Sequence, residues 1–409
     1  MSARPISVLH FTNSLVRGGA EEHVLTLLRG LDRSSFRPHL VCPPALAGKL
    51  EKDLPADVPL FPLLLQKPRQ LRAALGLARI LRGRRVDILH SHGFYSSLFA
   101  SPVGWLCGVP LVVETPHVRE HWRQGWFKSR FVVDRLAGSF VHHYIAVSEA
   151  NARYLREQKG LPAHKIVVIR NGCDLERFDP AHPAPAGLKS RLGFADGDPV
   201  LVVLGRLEPQ KGHRVLLDAL PAVLREFPRA RLVCVGEGIL RDHLREQVRA
   251  LGLEASVRFV GYQTNVTDWL ALADLTVLPS FYEGLPLVAI ESLAAGRPVV
   301  ATAVDGTPEV VVDGRTGLLV PPGDAAGLAN AICRLLREPG LRRSLGEAGR
   351  RHVLDGYSQE RQIRQTQELY LSAWEQRVAE NKKAPLPMET QLTPPESRLA
   401  GQPTWVSKR

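Results

Sequence analysis

The sequence predicts an α/β protein made of two doubly wound parallel-sheet domains that face a central cleft. Three observations carry that prediction. The chain has 409 residues, enough for two or three domains at roughly 150 residues each. Short runs rich in Val, Ile and Leu alternate with longer amphipathic stretches along most of it. Continuous apolar strands separated by helices are the pattern of a parallel sheet covered on both faces. The alternation breaks once, at 179–187, where Pro180, Pro183 and Pro185 make a stiff, non-periodic connector.

Taken in order, the first series places strands at 6–11, 39–42, 88–90, 111–114, 143–147 and 166–169. The second places them at 199–204, 231–235, 257–260, 275–279, 298–301 and 317–320. Helices are expected over 327–337, 340–354 and 359–378, the last with apolar Ile363, Leu369, Tyr370 and Trp374. The expected domains are 1–178 and 188–358, joined by 179–187. The tail 379–409 carries five prolines and reads as disordered. In open parallel sheets ligands sit at the carboxyl ends of the strands, so the main site is expected where the two domains face each other.

Composition narrows the class. Hydrophobic residues make up 44% and charged residues 23%, which excludes a disordered tail protein, a collagen and a small disulfide scaffold. The net charge of +12 suits an anionic partner: nucleotide phosphates, an anionic membrane surface or nucleic acid. Cys42, Cys107, Cys173, Cys234 and Cys333 are scattered, so C-x-x-C pairs are absent and a reducing cytosol fits best. The N-terminus enters a strand without a signal-peptide core. The uncharged stretch 93–113 reads as a buried helix followed by a strand rather than a membrane span.

Candidate chemistry clusters at strand ends. Arg206 and Lys211, in Gly205-Arg-Leu-Glu-Pro-Gln-Lys-Gly212, follow an expected strand. A bidentate guanidinium and a point charge together suit a diphosphate, and two solvated loop cations would give the same pattern. Residues 281–291 place Glu283 just outside an expected helix and Glu291 within it, with Pro286 suited to its first turn. The free amides of Gly284, Leu285 and Leu287 would then attract an anion or sugar hydroxyls. Eight helical positions span about 12 Å, so the two glutamates do not form the pair about 5–5.5 Å apart that a retaining glycosidase uses. Gly18 and Gly19 allow close approach of a ligand between strand and helix, without the G-x-G-x-x-G fingerprint. His92 and His117 stand at strand ends, where a sugar-binding and a structural role are equally compatible with the sequence. No carboxylate or cysteine accompanies His90 and His92 at ligand spacing, so no metal site is expected.

The ordered set Gly-Gly-Ala-Glu, Thr-x-His, Asn171-Gly-x-Asp174 with Phe178, Gly205-Arg206…Lys211-Gly212, Gly236-Glu-Gly238, Glu283-x7-Glu291 and Pro308-Glu309 resembles glycosyltransferase family 4 over about residues 5–378. The resemblance implies the GT-B fold, two Rossmann-like domains with the 359–378 helix crossing back onto the first, and a retaining transferase using a UDP- or GDP-linked sugar. It implies Arg206 and Lys211 on the donor diphosphate, Glu291 on the nucleotide ribose, Glu283 and the following amides on the donor sugar. It also implies His117 near the reacting sugar carbon, and Gly18 and Gly19 bordering donor phosphate and acceptor. No cofactor or metal is implied. Asp305-Gly306 departs from the Gly-Gly common in the family.

The positive charge is concentrated at 66–85, which holds Lys67, Arg69, Arg72, Arg79, Arg82, Arg84 and Arg85 with no acidic residue, and at 119–135, where Trp122, Trp126, Phe127 and Phe131 mix with Arg119, Arg123, Lys128 and Arg130. Such segments suit an anionic leaflet and equally a helix packed on a sheet with solvated arginines. The expectation is a cytoplasmic enzyme, peripheral on the inner face of the membrane, acting on a lipid-linked or polysaccharide acceptor in cell-envelope glycan synthesis. The rival readings are a nucleotide-sugar epimerase of related fold and a basic nucleic-acid-binding protein. The last is disfavoured by few aromatics and no recognisable module.

Overall fold

The computed structural model describes residues 4–67, 69–120 and 131–383. Two all-parallel sheets form it. The first has the order β3-β2-β1-β4-β5-β6-β7 and the second β10-β9-β8-β11-β12-β13. Its strands are β1 (Ile6–Thr12), β2 (Phe36–Cys42), β3 (Leu60–Pro62), β4 (Ile88–His92), β5 (Leu111–Thr115), β6 (His143–Ala146) and β7 (Ile166–Val168). The second sheet comprises β8 (Val200–Leu204), β9 (Arg231–Val235), β10 (Val257–Gly261), β11 (Leu275–Leu278), β12 (Val299–Thr302) and β13 (Gly317–Val320).

The first sheet holds seven strands where the apolar pattern predicts six. The addition, β3, is three residues long and ends in a proline. It is too short to show a period, and an edge strand tolerates the missing N–H. β2 begins at Phe36 rather than 39. Pro38 lies in a part of β2 that β3 does not reach, since β3 pairs only with Leu40–Cys42, so its missing donor breaks no ladder on that side. The stretch 93–113 becomes the helix Phe94–Leu106 followed by β5.

All residues of β1, β4, β5 and β8 are buried, as strands covered on both faces must be. One face of the first sheet packs Leu9, Phe11, Val41, Leu89 and Val112 against Leu77 and Leu81 of the helix Leu71–Gly83. The other packs Val8, Ile88, Leu111 and Val113 against Tyr370 and Ala373. Those two belong to the helix Gln359–Lys383, so the end of the described chain returns to the first domain. It arrives through paired backbone bonds at the second domain crossing: Cys173 N–H to Tyr357 carbonyl at 3.0 Å and Gln359 N–H to Cys173 carbonyl at 3.0 Å. This helix runs to Lys383, so residues 379–383 are helical rather than the start of a disordered tail. The rest of the expected tail and residues 121–130 of the second basic stretch lie outside the described residues.

Among the described residues no helix is long and apolar enough to cross a membrane. In both sheets the strand order reverses beside the first strand, between β1 and β4 and between β8 and β11. Those switch points open crevices at the strand carboxyl ends. They fix where the candidate residues meet.

The first domain also buries an ion cluster. Lys159 Nζ lies 2.7 Å from Glu120 Oε2 and 2.9 Å from Asp134 Oδ1, all three side chains nearly without solvent contact. The rings of Phe94, Tyr154 and Phe131 surround the ammonium at 5.0, 5.6 and 5.7 Å. Removing one member of a buried pair leaves its partners charged and unsolvated. Lys159→Ala is therefore expected to destabilise the protein by about 3–5 kcal/mol, read by urea unfolding. A loss below about 1 kcal/mol would show that water reaches the cluster.

Candidate active site

The loop after β8 carries Arg206 and then turns through Pro209–Lys211 into the helix His213–Glu226. Gly212 joins them with φ of +63°, and a Cβ there would fall 1.9 Å from the Pro279 carbonyl oxygen. Only glycine lets this turn lie against the end of β11. The result brings Lys211 Nζ within 2.6 Å of Glu283 Oε1. Ser280 Oγ donates to the same oxygen at 2.7 Å, and Glu283 is buried. Arg206 is held by Glu208 at 2.8 Å and Gln210 at 3.3 Å, and Gln210 in turn donates to the Tyr282 carbonyl. The two cations are thus positioned by hydrogen bonds, not loose in solvent.

Pro286 stands just before the helix Leu287–Ala294, not in its first turn, and its extended backbone directs the chain into the helix. No side chain caps that end. Leu285 is a core residue, so only its main chain is available to a ligand, while half-buried Leu287 touches the first domain near Gly19. Glu291 lies on the helix's first turns. Burial pushes its carboxyl up to about 7, offset in part by Arg177 and reinforced by Glu22.

The first domain meets this surface at backbone level. A Cβ on Gly284 would fall 1.7 Å from the His117 carbonyl oxygen, and one on Gly306 would fall 2.0 Å from the Gly284 carbonyl oxygen. Ser148 Oγ donates to that Gly284 carbonyl at 3.1 Å. Gly18 lies beside Arg206, whose Nε would be 3.7 Å from a Cβ at that position. Gly284 with His117, Gly18 with Arg206 and Gly19 with Leu287 thus meet across the two domains, and Lys211 joins them through Glu283.

Three residues that the sequence offers only as parts of motifs make contacts here that it does not show. Glu309 accepts the amides of Glu149 and Ala150 at 3.1 and 2.9 Å and approaches Arg170 at 3.4 Å. It joins the second domain to the N-terminus of a helix in the first, a favourable place for a carboxylate. Its signal was the Pro308-Glu309 pair of the ordered motif set, which carries no trace of the partner in the other domain. Asp305 occupies a left-handed conformation, φ 41°, and its Oδ2 accepts the Glu283 N–H at 2.9 Å. The side chain that departs from the family pattern thus occupies the backbone amide of Glu283. Glu21 is buried, and desolvation pushes it up to about 7 despite Ser14, the Gly18 amide and Arg206.

Behind His117 lies an array of imidazoles. His117 Nε2 is 3.3 Å from His92 Nδ1, and His92 Nε2 is 3.0 Å from His10 Nδ1. His23 Nδ1 is 2.9 Å from Asn171 Oδ1. His90 spends both nitrogens, on Tyr370 OH at 2.5 Å and Thr115 Oγ1 at 2.7 Å. Desolvation lowers all five, His10 to about 3, His23 to about 4, and His90, His92 and His117 well below 6.5. They are neutral hydrogen-bonding groups at pH 7. Spacing in sequence linked only His90 and His92; His10 and His23 arrive from β1 and from the helix Gly19–Gly30.

Residues 17–177 match the family model described as Glycosyltransferase Family 4, and 198–338 match that of Glycosyl transferases group 1. A glycogen synthase of Mycobacterium tuberculosis is 34% identical over 314 residues, covering 74% of this chain and 73% of that protein. A D-inositol 3-phosphate glycosyltransferase of Salinispora arenicola is 32% identical over 353 residues, covering 80% and 75%. The crystal structure of Anabaena HepE with UDP and glucose superposes with a TM-score of 0.79 at 24% identity, covering 90% of this chain and 100% of that one. That likeness shows the fold.

The raised Glu291 has a measurable consequence. Unfolded, the group ionises near 4.5; folded, near 7. Between those values the unfolded chain holds fewer protons, so stability falls as pH rises through that window. Glu291→Gln is expected to gain stability relative to wild type from pH 4.5 to 7 and to hold that advantage above it. Thermal unfolding across pH checks this, and a difference independent of pH would overturn it.

Proposed function

This chain belongs to glycosyltransferase family 4, and from that membership and its cleft we propose retaining transfer of a sugar from a UDP- or GDP-linked donor to a hydroxyl of a lipid-linked or polysaccharide acceptor. That it is a GT-B glycosyltransferase using a nucleotide sugar follows from the family and the fold. The finer reading rests chiefly on one observation. Glu283, paired with Lys211, is followed in the chain by Gly284, whose backbone lies against the His117 carbonyl, so the loop that carries the carboxylate meets the strand end that carries the imidazole.

In this reading Arg206, Lys211 and the amides of Gly284, Leu285 and Leu287 hold the donor diphosphate and stabilise the charge it gains as the anomeric C–O bond breaks. No metal cofactor is needed for that step. Glu283 holds the donor sugar, Glu291 the ribose diol, and neutral His117 a sugar hydroxyl near the reacting carbon. The acceptor hydroxyl attacks on the face the leaving group vacates, and the departing phosphate takes its proton. Gly18 and Gly19 give the phosphates room beside the acceptor. The complexes of HepE with UDP and with UDP-glucose support uridine as the first base to try.

The acceptor reading rests on the first domain. Leu77 and Leu81 of the helix Leu71–Gly83 are buried, whereas Leu71 and Leu75 are 70% and 57% exposed among Arg72, Arg79 and Arg82. Trp105, Leu106 and Leu136 are also exposed on neighbouring helices. Apolar side chains set among arginines suit the anionic inner face of a cytoplasmic membrane, and with it an envelope glycan role. The glucan and inositol phosphate named for the two relatives are the rival acceptors.

The first test is thermal shift with UDP, GDP, ADP and their sugars, without metal. A nucleotide at 100 times its Kd should add about 2.7 kcal/mol to wild type, and Arg206→Ala and Glu291→Ala should lose that gain. No stabilisation by any nucleotide would sink the donor assignment. With the right donor and acceptor, Lys211→Ala should lower kcat by about 10²–10³; sugar conversion without any acceptor would instead mark an epimerase. For the membrane reading, the protein should float with anionic liposomes at low salt and release at high salt. Leu71→Ser with Leu75→Ser should weaken flotation, and failure of wild type to float would reject it.

A further inference from the structure

We propose that His23, His92 and His117 form a binding site for one borderline divalent transition-metal ion, of the Zn²⁺ or Cu²⁺ class, at the floor of the cleft. This does not depend on the transfer reading and is separate from the diphosphate-binding cations of the other domain.

Three features of the geometry point to it. The ligand-capable atoms of these three side chains lie within 4.8 Å of one another. His92 Nδ1 and His117 Nε2 are 3.3 Å apart. A tetrahedral ion with metal–nitrogen bonds of about 2.0–2.1 Å sets its ligand nitrogens about 3.3–3.4 Å apart, so this pair already spans one edge of such a tetrahedron. The His23 ring stands edge-on to His117, 4.8 Å between centroids at 79°, and its Nε2 is buried without any partner. A buried nitrogen with no hydrogen bond in a polar cluster calls for an explanation, and a third metal bond supplies one.

The surroundings suit the same arrangement. A ligating imidazole usually gives its other N–H to a fixed acceptor. His92 Nε2 faces His10 Nδ1 at 3.0 Å, and His23 Nδ1 faces Asn171 Oδ1 at 2.9 Å. Gln362 Nε2 lies 2.9 Å from the same His23 nitrogen, so loading the ion costs that contact. A second convergent trio, His10, His90 and His92, is a poorer site because both nitrogens of His90 already have partners. Three neutral imidazoles with no carboxylate or thiolate select Zn²⁺ or Cu²⁺ over Mg²⁺ or Ca²⁺. His117 is only half-buried, which gives the ion an entry and leaves water a fourth corner. An ion there engages the His117 nitrogen and would oppose its sugar-binding role, so the site predicts inhibition by these ions rather than a requirement for them.

The test uses the full chain without an affinity tag, stripped with chelator and then titrated with Zn²⁺ by calorimetry, with bound metal counted after gel filtration. One equivalent per chain is expected. His23→Gln and His92→Gln should each weaken binding by about 10–100-fold. Gln362→Glu should tighten it by about 10-fold, since a carboxylate can accept both the Gly172 amide it now serves and the His23 N–H. Co²⁺ in wild type alone should give the intense visible bands of a four-coordinate site, which keeps the test independent of whether the variants fold. Absence of stoichiometric binding, a six-coordinate Co²⁺ spectrum, or binding that survives both histidine substitutions and so belongs to exposed residues such as His164, His182 or His243 would each overturn the proposal.

Discussion

The two domains touch backbone to backbone, and the rest of the site depends on that contact having no side chain in it. Gly284 lies on the His117 carbonyl across the domains, and Gly306 backs it within the second domain, against the Gly284 carbonyl and beside Ser148 of the first. Any Cβ there would force the loops apart and separate the groups they carry, and a displacement of 1 Å is enough to spoil a positioned site. The glycines are therefore where the fold sets the width of the cleft. Glu309 reinforces the same seam from the side by accepting two helix amides of the first domain. The constraint is steric at the centre and electrostatic at the rim.

Charge inside the cleft follows a related rule. Lys211 and Arg206 each have a carboxylate partner, Glu283 and Glu208, so the positive field is fixed in place before any anion arrives. Such preorganisation removes the cost of gathering mobile cations around a new charge. On the other wall the imidazoles are held neutral by burial. One wall thus offers paired charge and the other uncharged hydrogen-bonding groups, a division that suits a ligand with an anionic end and a hydroxyl-rich end.

The sheets were legible because their strands are buried on both faces and so read as unbroken apolar runs. β3 was not, since three residues beside prolines show no period, and its partner β2 was read from 39 although it begins at Phe36. At the site, Arg206, Lys211 and Glu283 were visible as polar residues placed just after strands, and Glu291 as the acidic member of the helix that follows. Glu309 was half visible, as one member of a motif whose partner, a helix terminus in the other domain, has no trace in local sequence. His10 and His23 were invisible, because each is an isolated histidine in sequence; β1–β4 pairing brings the first to His92, and the helix Gly19–Gly30 brings the second. The segment 121–130 of the second aromatic and basic stretch lies outside the described residues, so that reading stays on the sequence.

The helix that closes the chain onto the first sheet also orders events in time. Tyr370 fills the centre of that sheet's second face and satisfies His90, 280 positions earlier, while Gln362 reaches His23 across 339. A ribosome making this protein releases the whole second domain before the residues that seal the first. The nascent first domain therefore waits, with an apolar face and buried polar groups unsealed, while the second domain is made. Long-range closure of this kind slows folding and leaves surface open to wrong partners. A chain cut between its two domains would not give two halves, because the first half lacks its own lid of core.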